Sequence, residues 1–217
     1  SEFEAGIMTN ADFTPEKVLD FWFGNEDITQ SIETFGAFWH SRMQGEMDEA
    51  IIADFPSLTK AAARGELDHW ADTALGRMAL IIALDQFPRS LWRDTPAAFG
   101  QDIKSATLAL EGIKNGHYQV LEKPWMQVFY LITISHCEGP DHLARLDQID
   151  ELTVAIEAKI KAILPEAKGM LAGQNDRVRK LLETFGRHPH RNEILGRIST
   201  ISEESYIEAG EFPHLAA

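Results

Sequence analysis

One cysteine in 217 residues, Cys137, leaves no pair for an intrachain disulfide framework. No apolar run approaches the roughly 18 residues that span a bilayer; the best stretch, Met78 to Leu84, is far shorter. Basic residues are also scarce. Lys and Arg number 20 against 34 Asp and Glu, giving a formal net charge of -14 and a pI near 4.9. That field repels phosphate backbones and anionic lipid surfaces, so neither nucleic acid nor membrane is expected as a partner. The glycine-rich phosphate loop, the G-x-S-x-G elbow and the dinucleotide fingerprint are all missing. No cofactor is expected, and the lone thiol with the absent span points to a cytoplasmic protein. The first residues, SEFEAGI, lack a basic n-region and an apolar h-region. They read as an expression scar over 1–7 ahead of a start at Met8, leaving 8–217 as a single all-helical domain.

What is present is the material of a helical core. Hydrophobic residues make up 44% of the chain, with 12 Phe and 5 Trp, enough to bury a substantial interior. Thr14-Pro15-Glu16 places a hydroxyl cap, a proline and an acid where a helix starts, and Val18, Leu19, Trp22 and Phe23 follow on one face. Phe35, Phe38 and Trp39 open a second run that continues through Met43, Met47, Ile51 and Phe55 at spacings near four. Thr73 to Phe87 is apolar on nearly every side, which marks a helix surrounded by protein, and Pro88 is expected to stop it. A helix opening at Pro124 has the same all-round character, and Asp141 to Leu164 is the longest amphipathic run. Thr200 to Glu203 has capping-box spacing. With no alternating strand pattern, the expected fold is all-α: nine or ten antiparallel helices in a single-domain array, without a fixed repeat period.

Polar chemistry gathers where helices stop. In LDQFPRSLWRD, Asp85 falls in the last turn of a buried helix, where the macrodipole disfavours a carboxylate. It needs compensation, and Gln86, Arg89 and Arg93 are near in sequence; the plainer reading is an ion pair tying a turn to the core. In ISHCEGP, His136, Cys137 and Glu138 end an apolar helix. Adjacent helical residues diverge by about 100°, so the Cys–His pair does not face itself and Cys137 reads as a small buried apolar residue. His136 and Glu138 are the better catalytic candidates, beside Asp85 and His190.

The third segment, FGRHPHRNEILGRIST, carries three arginines and two histidines against one glutamate on an acidic chain. Arg187, His188, His190, Arg191 and Asn192 could cap the preceding helix and pair with acids such as Asp85. Alternatively they could bind a phosphate or carboxylate through the arginine fork. No metal is expected, since the spacing matches none of the strong signatures; the alternative set is His136, His188 and His190.

VLDFWFG, LDQFPRSLWRDTPAAFGQD and FGRHPHRNEILGRIST, in that order, resemble the marker motifs of the bacterial family catalogued as domain of unknown function 924. The resemblance runs from about Val18 to Phe212. It implies an all-α fold like that of tetratricopeptide-repeat proteins, a superhelix of paired helices stacked around a groove, and it implies no activity. Where the family shows a proline-bearing stretch ending in His-Ser-Glu, this chain has LITISHCEG: His136 and Glu138 match, Cys137 replaces the serine and the proline is absent. A serine-dependent role is therefore not implied here.

The resemblance also joins the three segments into one pattern, with Asp85, Gln86, Arg89, His136, Glu138, Arg187, His190, Arg191 and Asn192 expected around one pocket. The expected function is binding of a small anionic ligand or an acidic peptide there, with Gln86, Arg89, Arg93, Arg187, His188, Arg191 and Asn192 as the ligand-binding residues. One alternative is a hydrolase, in its metal-dependent form or without metal, using His136 or His190 with Glu138 or Asp85. The other is a purely structural ion network in a scaffold that engages a protein partner.

Overall fold

The structure, a computed structural model, describes residues 12–167 and 169–215. The scar assigned to residues 1–7 lies outside the described residues. The elements are α1 (Pro15–Phe23), α2 (Ile32–Met43), α3 (Asp48–Asp54), α4 (Pro56–Ala63), α5 (Ala74–Asp85) and α6 (Phe87–Leu91). They continue as α7 (Asp102–Asn115), α8 (Pro124–His136), α9 (His142–Ile163), α10 (Met170–Phe185) and α11 (Ile201–Ala209). Short 3-10 turns lie between them, and no strand occurs among the described residues. The fold is all-α, as the periodicity predicts.

Local chemistry sets the boundaries. Thr14 and Thr73 cap α1 and α5 through their hydroxyls, and Thr200 with Glu203 forms the complete capping box of α11. The second apolar run divides where the sequence reads as continuous. Gly45 adopts φ +81, a left-handed turn that an L side chain resists, so α2 ends and α3 restarts in nearly the same apolar phase. Pro88 behaves differently from a simple stop. It sits in the first turn of α6, where its missing N–H costs nothing, and Gln86 keeps helical dihedrals, so helix resumes at once beyond it.

The two all-apolar helices form the interior. From Gly76 to Asp85 every residue of α5 is buried, and α8 buries Pro124 through Leu131 without a break. Helix α5 packs against α1, α4, α7 and α8, and α8 against α7 and α9, which in turn carries α10. Aromatic side chains fill the space between: Phe129 stacks on Trp39 at 5.4 Å and meets Trp22 edge-on at 5.7 Å. The C-terminal ends of α5 and α8 are thereby brought together. The loop after α10 crosses both.

Candidate functional site

Asp85 is the last residue of α5 and only 1% exposed. Its carboxylate accepts from His136 Nδ1 at 3.0 and 3.1 Å, from Gln86 Nε2 at 3.0 Å and from Arg89 at 3.3 Å. Burial alone would raise its pKa; His136 and Arg89 outweigh burial and pull it down to about 2. An ionised carboxylate only accepts, so His136 Nδ1 carries the hydrogen and Nε2, the other nitrogen of a 30% exposed ring, has no hydrogen-bond partner among the described residues. Helix α6 turns Arg89 back over Asp85, and the same guanidinium forks onto Asp102 at 2.8 and 3.0 Å.

The loop after α10 supplies the opposite wall. Gly186 ends the helix at φ +72, and a 3-10 turn at Pro189–Arg191 aims Arg191 at the end of α8. Arg191 Nη1 donates to the His136 carbonyl at 3.0 Å and lies 3.7 Å from Asp102. Both Arg191 and Arg89 rest against the Phe99 ring, at 4.5 and 5.4 Å from its centroid. Burial, and then the neighbouring Arg89, lower the pKa of Arg191 to about 10. Arg145 closes the back, giving its guanidinium hydrogens to the carbonyls of Ile134 and Cys137 that the end of α8 leaves free.

Beside this lies a second, fully matched network. Glu138 accepts from the His188 backbone N–H at 2.7 Å and is forked by Arg197, which holds its carboxyl below the usual range against the opposing effect of burial. Arg187 forks onto Glu203 at 2.9 Å through both nitrogens, and Asn192 bridges Glu203, Ser199 and Arg197. Those hydrogen bonds, Arg187 first, bring Glu203 to about 2. The charges of Arg187 and Arg197 are thus answered by Glu203 of α11 and by Glu138 just after α8.

The structure brings together Asp85, Gln86, Arg89, His136, Glu138, Arg187, His188, Arg191 and Asn192. Arg93 is elsewhere: its guanidinium pairs with Asp48 at 2.5 Å and is 55% exposed. His190 faces Phe212 and His214 at 5.2 and 4.7 Å rather than a carboxylate, and burial pushes its pKa down to about 3. Cys137 is 6% exposed and burial pushes its thiol up, which suits a packed side chain and not a nucleophile. His136, His188 and His190 are not placed to share an ion. Among the described residues no three His, Cys, Asp or Glu side chains are placed to hold an ion.

Sequence reasoning missed Asp102, Phe99, His142 and Arg197. Arg197 lies inside the third motif and balances Glu138. Asp102 and Phe99 lie at the end of the second motif, where a first-turn acid reads as ordinary helix chemistry. His142 carries no sequence signal.

A family model described as bacterial protein of unknown function (DUF924) matches residues 18–211, a span that contains all three segments. No curated protein matches the chain. Among solved structures it is similar to the protein of unknown function ATU0120 from Agrobacterium tumefaciens, at 29% identity and a TM-score of 0.64. The match covers 90% of this chain and 97% of that one. Among the described residues no helix is long and apolar enough to cross a membrane.

Proposed function

Because the chain belongs to the bacterial DUF924 family, whose description assigns no activity, we propose from the geometry alone that it binds a small anion at Arg191. The observation that carries this reading is a mismatch in charge pairing. Arg89 has Asp102 and Asp85, Arg197 has Glu138, and Arg187 has Glu203. Arg191, 5% exposed, has one backbone carbonyl and a loose 3.7 Å approach to a carboxylate that Arg89 already forks. Its Nε is buried with no partner among the described residues. A carboxylate or phosphate oxygen would supply a charge-assisted hydrogen bond to a guanidinium already desolvated and held in place by Phe99.

Calorimetry with inorganic phosphate and small carboxylates tests this directly. Binding should be lost in Arg191→Met and kept in Arg93→Ala, whose guanidinium sits on Asp48. An Arg191→Met protein that stays folded and keeps its affinity would defeat the proposal.

One observation favours a second reading, hydrolysis of the bound ligand. The Asp85 carboxylate fixes the tautomer of His136 and leaves Nε2 as a base beside two guanidiniums, the elements of general-base catalysis with charge stabilisation. His136→Gln would then abolish turnover of a phosphate or carboxylate ester while leaving binding of the free anion intact. Loss of binding alone would return His136 to the role of a ligand contact.

A further inference from the structure

Buried side-chain nitrogens and oxygens nearly always find hydrogen-bond partners, so a concentration of unpartnered ones marks a place built to meet something else. Among the described residues ten such atoms lack a partner. Five of them belong to four neighbouring side chains: His142 Nδ1, both nitrogens of His188, His190 Nδ1 and Arg191 Nε. The others are single polar atoms spread over three tryptophan and two tyrosine side chains.

These side chains come from two elements that the fold presses together, the first turn of α9 and the loop after α10. The ring centroids of His142 and His188 are 5.9 Å apart, and those of His188 and His190 5.4 Å. His142 is 2% exposed and His188 5%. The imidazoles sit side by side without bonding one another, next to Arg191.

The donor and acceptor pattern can be read atom by atom. His142 Nε2 lies 2.7 Å from the Ser135 carbonyl oxygen, which only accepts, so Nε2 carries the hydrogen. Burial keeps this ring neutral at physiological pH, with its pKa lowered to about 4. Nδ1 is then a bare lone pair. His188 is likewise held neutral by burial and by Arg191, and a neutral imidazole presents one N–H and one lone pair. Arg191 Nε only donates. The group that completes this set must accept from Arg191 and from one histidine, and must also donate to His142. It also sits in a positive field: Arg145 and Arg191 both act on His142, while Glu138 is already forked by Arg197.

We propose that His142, His188 and Arg191 recognise an oxyanion that carries its own proton, a hydrogen phosphate or a phosphate monoester monoanion, in preference to an aprotic one. This rests on the anion-binding reading and narrows it. Sulfate has the same shape and accepts the same bonds, but near neutral pH it has no hydrogen to give His142 Nδ1. A simple carboxylate lacks one as well. The lone pair of His142 then faces an oxygen lone pair, a repulsive contact that a protonated phosphate oxygen turns into a bond.

The experiment is calorimetric titration of the full chain at pH 7 with inorganic phosphate and, separately, with sodium sulfate at matched ionic strength. Phosphate should bind at least about tenfold more tightly, the ratio that one good hydrogen bond supports. His142→Gln keeps a side-chain N–H where Nε2 donates to Ser135 and removes the Nδ1 lone pair. By removing the repulsive contact it should raise sulfate affinity while weakening phosphate, bringing the phosphate preference to near unity, and its thermal melt reports that the fold is retained. Equal binding of phosphate and sulfate by the native chain would overturn this inference while leaving the anion site standing. Binding confined to carboxylates would do the same. If no anion binds to the folded protein, both readings fall.

Discussion

Arg89 and Arg191 lie against one aromatic ring and share one carboxylate, yet their energetic roles differ. Arg89 answers two carboxylates that are 1% and 5% exposed, Asp85 and Asp102, so removing it leaves Asp102 with only the 3.7 Å approach of Arg191 and Asp85 with His136 and Gln86. Arg89→Met should lower unfolding free energy by about 3–5 kcal/mol, the cost of breaking a buried pair. Arg191→Met removes a cation whose burial is poorly compensated, together with one hydrogen bond to a backbone carbonyl. Its cost should stay below about 2 kcal/mol. Urea denaturation of the two variants measures the contrast, and equal destabilisation would show that Arg191 is one more member of the ion network. Asp85 was legible from sequence because an acid closing a buried apolar helix requires a partner, and Arg89 stands one turn on. Arg93 misled because nearness to Asp85 in sequence did not become nearness in space. Helix α6 stops at Leu91, and the turn beyond it carries Arg93 outward to Asp48.

At the scale of the element, periodicity reported which faces are buried but not where a helix pauses. Met43, Met47 and Ile51 keep a near-helical spacing across the Gly45 turn, so the break between α2 and α3 leaves no mark on the apolar pattern. Long-range neighbours were equally hidden: Asp102 begins α7 and His142 begins α9, and neither position differs from a common first-turn polar residue. Two glycines show how much packing decides. Gly36 is exposed inside α2, and a methyl group added there would meet no neighbouring atom within 4 Å. Gly36→Ala should therefore stabilise by about 0.5–1 kcal/mol through helix propensity alone. Gly76 opens α5 against the Trp70 turn, where a Cβ would stand 2.0 Å from the Trp70 backbone oxygen. Backbone cannot step aside as a flexible side chain can. Gly76→Ala should cost about 1–3 kcal/mol or more despite the same gain in propensity. Thermal melts of the two alanine variants should move in opposite directions, and a shared direction would refute the close approach of α5 to that turn.

For the molecule as a whole, acid is the condition in which two opposing effects compete. The formal net charge of -14 at pH 7 falls towards zero near pH 4.9, and the loss of self-repulsion favours the folded state. The buried histidines act the other way. His142 has an ordinary pKa of 6.5 when unfolded and about 4 when folded, so below pH 6.5 the unfolded chain takes up a proton that the folded chain refuses. Its stabilising contribution is complete above pH 6.5 and is lost as pH falls towards 4, at about 1.4 kcal/mol per pH unit. His188, lowered in the same direction by burial and by Arg191, adds a similar slope over that window. Asp85, lowered from 3.8 to about 2, contributes a second loss that begins only below pH 4. Distributed repulsion between exposed charges is screened by salt, whereas buried groups are screened much less. At about 0.15 M salt the histidines should therefore prevail, and the urea midpoint should drop steadily from pH 6.5 to 4 instead of peaking near the pI. In His142→Gln the slope over that interval should be visibly shallower, with the decline below pH 4 unchanged. A slope that His142→Gln leaves unchanged would mean that the imidazoles between α9 and the loop after α10 accept protons freely. The neutral donor–acceptor pattern assigned to them would then be wrong.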